Sequence, residues 1–423
     1  MNSLVSKTLD HGTIQGECDP DWSGVLEAFA LNFSERGELG ASLCVTVGGR
    51  ARIDVWGGWA NEEKTRPWDR DTIGVIFSAT KAATVLCVNI LIDQGAIDLH
   101  APVSRYWPEF ARHGKQSGTV EMILNHSIGV PGFREPLKDN AFADWDYMVR
   151  RIEEERPWWK PGERMGYHGL TIGWLAGELV RRVSGKSLGT FFRERVADPL
   201  GLDFWIGLPE AMEPRVTHMV PYKTQPGEEE IVSDFGINLV QNPDSDSAVA
   251  MRHHGGYWFE NYVESAGCYA PDTRLAHAAE IGAVGGITNA RGLAGMYAPL
   301  ANGGQGLMSR EHIDRMSQVS MCAMSDAIML RRSRYALGFM KGIDNRHRRL
   351  GHLESLIIGD RAFGHVGMGG HLGFADPDCQ LSFGYTMNKM QAGLAFNPRG
   401  QSLVDAVYRQ LGYKTDAAGF WAR

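Results

Sequence analysis

The sequence contains no long run of apolar residues. Of its 423 residues, 43% are hydrophobic, yet no stretch of about 18 residues is continuously apolar, so we predict no membrane-spanning helix. The first segment, MNSLVSKTLDHGTIQGECDP, lacks the apolar centre and the cleavage site of a secretory signal. Charges of both signs are mixed and the net charge is -7, which argues against nucleic-acid or membrane partners.

Cysteines are few, and metal-binding patterns are missing. The six cysteines never form a C-x-x-C pair, which predicts free thiols in a reducing cytoplasm. His126, His371 and the pair His253-His254 lack the H-E-x-x-H spacing, so we expect no metal or other cofactor. No repeat of about 20–50 residues is present, which excludes a repeat architecture.

Strand patterns occur near both ends of the chain, and helix patterns occur between them. Residues 41–60 and 371–387 each predict a β-hairpin. In the middle of the chain, helical patterns are separated by long loops rich in proline, glycine and charge. We therefore predict an α/β (α+β) fold in which residues 1–95 and 275–423 build one domain. Residues 96–274 then form an inserted, mostly helical domain with long loops.

Three segments predict amphipathic helices. Residues 19–33 place apolar side chains on one helical face behind Asp19, which can cap the helix. Residues 170–185 end at a glycine that suits a helix C-terminus, and residues 401–412 form the last helical pattern. Residues 209–274 contain few periodic elements, and loops of that length are usually functional or mobile.

An apolar segment, IFSATKAATVL, places Ser78 and Lys81 one helical turn apart. Residues three apart share a helix face, so the hydroxyl and the amine can meet. A serine needs a proton acceptor before it becomes a nucleophile, and apolar surroundings lower the pKa of a lysine. At a helix N-terminus, the serine also offers its own N–H to an oxyanion. The motif therefore predicts a catalytic pair, and the alternative is that Ser78 merely caps the helix.

A second serine motif, GKSLG, matches the G-x-S-x-G nucleophile elbow of α/β-hydrolases. That elbow requires a strand before the serine and a helix after it. Here an amphipathic helix comes before Ser187 and ends at Gly185. We therefore expect Ser187 to be the N-cap of the next helix, and not a nucleophile.

Three motifs occur in a characteristic order: S-x-x-K, then KPGERMGYHG with Tyr167, then FGHVGMGG with His365. Together with Pro199–Leu202 (PLGL) and the preceding ILNHSIGVPGF, they resemble the penicillin-binding-protein and class C β-lactamase superfamily. Within it, the chain is most similar to the family VIII carboxylesterases. The resemblance covers roughly residues 20–411. It implies a β-lactamase-like fold, with an antiparallel sheet flanked by helices.

The resemblance also implies roles for individual residues. Ser78 is the expected nucleophile, and Lys81 is its base or the group that lowers a neighbour's pKa. Tyr167 takes the place of the motif tyrosine, which as a phenolate accepts the serine proton or passes it to the leaving group. The N–H groups of Ser78 and Met368 are the expected oxyanion hole.

Two departures from the lactamase and peptidase motifs concern substrate choice. The tyrosine motif, which usually ends in asparagine in those enzymes, reads Tyr167-His168-Gly169 here, and His365 stands where K-T-G has a lysine that pairs with a substrate carboxylate. A histidine is mostly uncharged at neutral pH, so both changes favour uncharged esters. His365 and Gly367 are expected to bind substrate. Tyr257 and Trp258 line the pocket or, as an alternative of equal weight, pack beneath their loop.

The predicted reaction is acyl transfer to Ser78, release of an alcohol and hydrolysis of the acyl-enzyme. Short-chain esters are the expected substrates, with weak β-lactam hydrolysis as a side activity. The alternatives are an acyltransferase with an alcohol acceptor, a β-lactamase or D-peptidase, and an inert sensor of acylating ligands. The expected partner is a small-molecule ester, with neither nucleic acid nor membrane, and the sequence leaves open whether the protein is a homo-oligomer.

Overall fold

A computed structural model of the chain describes residues 2–223, 233–393 and 396–423. Residues 224–232, which belong to the predicted insertion, lie outside the described residues. The strands are β1 Ser3–Leu9, β2 Gly12–Cys18, β3 Gly40–Val47, β4 Arg50–Gly58, β5 Gly74–Val75, β6 Phe204–Ile206, β7 Tyr262–Val263, β8 Cys268–Tyr269, β9 Gly286–Thr288, β10 Met321–Ala323, β11 Ser333–Tyr335, β12 Met340–Lys341, β13 Phe363–Gly367, β14 His371–Asp376 and β15 Leu381–Met387. The α-helices are α1 Ser23–Glu35, α2 Thr80–Asp93, α3 Val120–Leu124, α4 Trp145–Glu154, α5 Thr171–Ser184, α6 Leu188–Phe192, α7 Asp234–Gln241, α8 Asp246–Arg252, α9 Arg274–Ala278, α10 Ala290–Ala301, α11 Arg310–Met316 and α12 Pro398–Gln410.

A ten-stranded antiparallel sheet organises the fold. Its strand order is β1-β2-β4-β3-β15-β14-β13-β12-β11-β10. The pairing of β3 with β15 joins the first four strands of the chain to the last six. The sheet is therefore built from both ends of the chain, and the predicted β-lactamase-like fold with an antiparallel sheet is confirmed. The proposed domain boundaries near residues 95 and 275 stay a prediction.

Helices cover both faces of the sheet. On one face, α1 and α12 pack together over side chains of β3, β4, β14 and β15. On the other face, α10 packs against β3, β14 and β15. The strands β14 and β15 are buried along their whole length because both of their faces are covered. The helices α2, α5 and α10 share a second apolar core, which extends from the sheet into the helical region.

The predicted amphipathic helices form with small shifts at their ends. Asp19 caps a short 3₁₀ turn that leads into α1, where its side chain accepts the N–H of Asp21. Helix α5 stops at Gly185, whose φ of 71° is the left-handed conformation that glycine adopts easily. Helix α12 begins at Pro398, three residues earlier than expected. In the described part of the chain, no helix is long and apolar enough to cross a membrane.

A buried ion pair ties the sheet to the helices on one face. Arg399 at the start of α12 lies 2.5 Å from the carboxylate of Glu38, and both side chains are at most 2% exposed. The hydroxyl of Tyr385 on β15 donates to the same carboxylate. Asn32 of α1 donates to the carbonyl of Arg399. This network therefore connects α1, the sheet and α12 through one buried charge pair.

Arg399→Met should destabilise the protein strongly, because it leaves the buried carboxylate of Glu38 without its cation. Removing one partner of a buried pair typically costs about 3–5 kcal/mol in the free energy of unfolding. Lys7→Met removes an exposed pair with Glu27 and should change stability little. Urea denaturation of the two variants measures the difference. A loss in Arg399→Met no larger than that in Lys7→Met would show that the buried pair does not hold these elements together.

Candidate active site

Ser78 lies in a short 3₁₀ turn, Phe77–Ala79, that connects β5 to α2. Phe77 has a φ of 45°, a left-handed conformation that is unfavourable for a bulky side chain. Its ring is buried in a cluster with Val75, Ile287 and Met390, and such packing can hold a strained backbone in place. The N-cap position of α2 is Ala79, so Ser78 does not cap the helix. The half-buried serine is therefore fixed on a turn without serving as a cap.

The amine of Lys81 is fully buried and has three oxygen neighbours. Its Nζ lies 2.8 Å from the carbonyl oxygen of Gly169, 3.0 Å from that of Ala283 and 3.0 Å from the hydroxyl oxygen of Ser78. Carbonyl oxygens only accept hydrogen bonds, so two N–H groups must point at Gly169 and Ala283. A neutral amine has two N–H groups and one lone pair. In that state the lone pair faces the O–H of Ser78.

Burial lowers the pKa of Lys81 well below its ordinary value, because the charged form loses its hydration. The two carbonyl oxygens fix the position of the amine but carry no full negative charge. The site therefore favours an uncharged amine beside the serine, which is the form that can accept a proton.

The phenol of Tyr167 lies on the other side of the lysine. The Nζ of Lys81 is 4.9 Å from the centre of the ring, and the hydroxyl is hydrogen-bonded to that of Ser78. Burial raises the pKa of Tyr167 above its ordinary value, and the hydrogen bond to Ser78 offsets only part of this effect. The phenol of Tyr167 is therefore protonated at neutral pH. The geometry thus favours Lys81 as the resting base over a tyrosine phenolate supported by a lysine ammonium.

Asp326 fixes the backbone at Tyr167, although the sequence gives no sign of it. Its buried carboxylate accepts the N–H of Tyr167 at 3.0 and 3.1 Å, and also the N–H groups of Ile328 and Met329. The two residues are 159 positions apart, and Asp326 belongs to none of the three motifs. A contact between a side chain and a distant backbone amide leaves no local pattern that sequence analysis could detect.

His168, the middle residue of the tyrosine motif, serves the backbone, and the asparagine position itself is held by Gly169. Its Nδ1 lies 2.7 Å from the carbonyl oxygen of Gly166, and its Nε2 accepts the N–H of Val130 at 3.1 Å. Its own N–H donates to the ring of His126. Burial lowers the pKa of His168 to about 3, so the ring is neutral. Both ring nitrogens are used within the protein, and neither is left for a substrate.

The end of β13 lies directly against the nucleophile turn. A Cβ added to Gly367 would overlap the carbonyl oxygen of Ile76, so only glycine allows this approach. Met368 follows and packs against the cluster that contains Phe77. The N–H of Ser78 is in the first helical turn, where amides have no partner within the helix. The oxyanion hole formed by Ser78 and Met368 stays a prediction that this arrangement supports.

His365 is fully buried and uncharged. Its Nδ1 lies 2.7 Å from the carbonyl oxygen of Val366, and its Nε2 has no hydrogen-bond partner among the described residues. Burial lowers the pKa of His365 to about 3. The ring lies beside that of Tyr167, with 6.2 Å between the ring centres. The position of the K-T-G lysine therefore carries no cation here, and contact of His365 with substrate stays a prediction.

The two aromatic residues predicted to bind substrate lie in different surroundings. Tyr257 is buried in the helical core, and its hydroxyl donates to the carbonyl of Val284. Trp258 is half-buried, and its neighbour Phe259 packs against the cluster around Phe77. Tyr257 thus packs beneath its loop, whereas this loop reaches the nucleophile cluster through Phe259. Substrate contacts of Tyr257 and Trp258 stay predictions.

Ser187 is a helix N-cap, as the sequence indicates. Its hydroxyl oxygen accepts the N–H of Thr190 in the first turn of α6 and donates to Glu280. Helix α5, and not a strand, comes before it. Within residues 2–223, 233–393 and 396–423, no group of three or more metal-binding side chains could hold an ion.

A serine, a buried amine and a phenol joined by hydrogen bonds at a helix N-terminus define a site for serine-based acyl transfer. The β-lactamase family model matches residues 26–406, and the chain belongs to this family.

Similar proteins agree with this assignment. The esterase/β-lactamase LipL of Mycobacterium tuberculosis is 32% identical over 390 residues, which cover 90% of this chain and 84% of LipL. A crystal structure of a family VIII carboxylesterase is 35% identical, with a TM-score of 0.80 and coverage of 94% of this chain and 99% of that one. A penicillin-binding-protein homologue from Caulobacter crescentus is 30% identical, with a TM-score of 0.77 over 94% and 99% of the two chains. The predicted family is confirmed.

Gly367→Ala should reduce turnover with little effect on folding. The added methyl group would force the end of β13 away from Ile76 and move Met368 relative to Ser78. We expect kcat to fall by about 10²–10³-fold, as when one oxyanion donor is lost. Gly24→Ala is the control, since a Cβ there meets nothing within 4 Å. Steady-state kinetics and thermal melting of both variants test this, and wild-type kcat in Gly367→Ala would exclude β13 from the oxyanion hole.

Proposed function

We propose that the protein is a serine carboxylesterase that hydrolyses small, uncharged esters through an acyl-enzyme on Ser78. The observation that carries the proposal is the position of Lys81, whose amine is held by two carbonyl oxygens with its third direction facing the Ser78 hydroxyl. The family VIII carboxylesterase structure and the esterase/β-lactamase LipL support an ester substrate.

Acylation begins with proton transfer from the hydroxyl of Ser78 to the neutral amine of Lys81. The serine oxygen attacks the ester carbonyl and forms a bond to its carbon, while the carbonyl electron pair moves to oxygen. The N–H groups of Ser78 and Met368 then stabilise the oxyanion. The amine of Lys81 already lies 3.0 Å from the hydroxyl oxygen of Ser78, which supports an attack with little reorganisation of the base.

The second half of the step releases the alcohol. As the oxyanion collapses, the bond to the leaving oxygen breaks, and the phenol of Tyr167 donates a proton to it. Lys81, now an ammonium, returns a proton to the phenol and becomes neutral again. Water then attacks the acyl-enzyme by the same route, with Lys81 accepting its proton, and the carboxylic acid is released.

The charge of the site favours uncharged substrates. The ring of His365 is neutral, and His168 uses both ring nitrogens on backbone groups. A β-lactam carboxylate would thus lack the cation that K-T-G supplies. A charge-assisted hydrogen bond contributes about 1.5–3 kcal/mol, so its loss lowers specificity by roughly ten- to a hundredfold. We therefore propose ester hydrolysis as the main activity and weak β-lactam hydrolysis as a side activity.

A small-molecule ester is the proposed partner, and a reducing cytoplasm is the proposed location. The location is supported by the six cysteines, all of which are free thiols. An octameric penicillin-binding-protein homologue from Pyrococcus abyssi, 19% identical with a TM-score of 0.60, shares the fold with this chain. Whether this chain forms a homo-oligomer is a question for sedimentation analysis.

Ser78→Ala should abolish turnover, whereas Ser187→Ala should keep most of it. The first variant removes the oxygen that forms the acyl-enzyme, and the second removes only a helix cap and its bond to Glu280. A fluorophosphonate probe should label wild type and Ser187→Ala on the peptide that contains Ser78. Hydrolysis of p-nitrophenyl butyrate and peptide mass spectrometry provide the readouts. Turnover by Ser78→Ala, or loss of turnover in a folded Ser187→Ala, would contradict the proposal.

The wild-type enzyme should prefer p-nitrophenyl butyrate to nitrocefin. Both substrates pass through a tetrahedral oxyanion, so the difference reports the missing partner for the nitrocefin carboxylate. We expect kcat/KM for the ester to be higher by at least about tenfold, given the size of one lost charge-assisted hydrogen bond. Steady-state rates for both substrates in one buffer measure the ratio. A higher kcat/KM for nitrocefin would contradict the proposal, because β-lactam hydrolysis would then be the main activity.

A further inference from the structure

A surface cleft lies at the sheet edge, at the opposite end of β13 from the nucleophile turn. It has a volume of about 440 Å³. Its walls are the end of α11, the strands β11 and β12, and the turn before β13. The charged side chains that line it are Asp314, Arg334, Lys341, Asp360 and Arg361. None of these residues takes part in the proposed esterase mechanism.

Lys341 lines this cleft as a largely buried residue whose amine has no bonded partner among the described residues. Lys341 is only 4% exposed, yet it is one of the residues that line the cleft. Among the described residues, no hydrogen-bond acceptor lies within bonding distance of its Nζ, and no carboxylate lies within 4.0 Å. Asp360 and Asp376 attract this ammonium only from beyond 4.0 Å. An ammonium that is largely removed from water and has no bonded counter-charge is costly, so the position favours an anion.

The other charges of the cleft are already engaged. Arg361 lies 3.1 Å from Asp314 and also contacts Asp378. Arg334 donates to the carbonyl of Gly342, and its nearest carboxylate, Asp360, is 3.9 Å away. The two guanidinium groups thus add positive potential on either side of Lys341 without supplying its missing partner. The carboxylate of Asp360 is well exposed and would compete with an incoming anion.

We propose that this cleft binds a small oxyanion, a phosphate or a carboxylate, on the ammonium of Lys341. Arg334 and Arg361 stand beside it and donate to further oxygens of the ligand. Ser317 and Gln318 add polar groups to the wall. Burial lowers the pKa of Lys341 to about 8, and a bound anion would raise it. At pH 7 or below the ammonium therefore predominates.

The site is separate from the catalytic centre. Lys341 pairs in register with Phe363, at the start of β13, whereas Gly367 at its other end meets the nucleophile turn. We therefore expect substitutions of the Lys341 side chain to leave Ser78 and its neighbours in place. Esterase activity therefore serves as a folding control for variants in the cleft.

Calorimetric titration with sodium phosphate near pH 6.5, against sodium chloride at equal ionic strength, tests the proposal. Wild type should bind phosphate saturably with one site, and chloride should not compete at that ionic strength. Lys341→Met should weaken binding at least about tenfold, the effect of one lost charge-assisted contact. Lys160→Met removes a 72% exposed lysine elsewhere and should leave binding unchanged. Asp360→Asn removes the competing carboxylate and should therefore tighten phosphate binding.

A parallel titration with sodium acetate distinguishes a carboxylate ligand from a phosphate ligand. The anion that binds more tightly identifies the chemical class of the ligand. Absence of saturable binding of either anion would overturn the proposal, as would equal binding by wild type and a folded Lys341→Met. Should Lys341→Met fail to fold, acetic anhydride labelling of the wild type decides. The anion that binds more tightly should slow acetylation of Lys341 by at least about tenfold without slowing that of Lys160, and unchanged labelling of Lys341 would refute the site.

Discussion

The active site depends on one buried amine held by two backbone carbonyl oxygens. Among the described residues, no carboxylate lies within 4.0 Å of the Lys81 amine, and burial lowers its pKa well below the ordinary value. An apolar side chain at position 81 could be buried without the free-energy cost of removing an amine from water. This cost is consistent with the proposed role of Lys81 as the base that accepts the proton of Ser78.

The carbonyl oxygens that hold the amine come from distant parts of the chain. Gly169 is the last residue of the tyrosine motif, and Ala283 lies before β9, about 200 residues from Lys81. The turn with Ser78 is fixed separately, by the packing of Phe77 and by the close approach of β13 at Gly367. Each reacting group is thus positioned by backbone that tertiary structure places, which makes the geometry rigid before a substrate arrives.

Local patterns were sufficient for the helices α1, α5 and α12, the two hairpins and the S-x-x-K pair. Helix α5 with Gly185, for instance, needs only periodicity and a C-terminal glycine, both visible in the sequence. The short strands β5, β6 and β9 could not be predicted, because two or three residues carry no period. The antiparallel arrangement of the sheet and the expected role of Tyr167 came from the family resemblance, and the order of the ten strands was not predicted, since no local pattern specifies which distant segments meet.

Other features of the site follow from contacts that leave no mark in the sequence. The carboxylate of Asp326 binds a backbone N–H group, and Gly169 and Ala283 bind Lys81 through their backbone carbonyl oxygens. The residue types at these positions therefore do not reveal the contacts. The sequence left the role of the aromatic residues near Tyr257 open for a different reason. Tyr257 and Phe259 are two residues apart, and only the tertiary fold decides which of them enters the core.

The most direct test is the protonation state of Lys81 in the resting enzyme. Lysine labelled isotopically at Cε reports the charge of each amine by NMR, and Lys81→Met assigns the signal. The account predicts that Lys81 is neutral at about pH 7 and titrates well below the ordinary lysine pKa of about 10.4, while exposed lysines remain charged. A Lys81 signal that stays charged up to about pH 9 would contradict the account, because the amine could then not accept the serine proton.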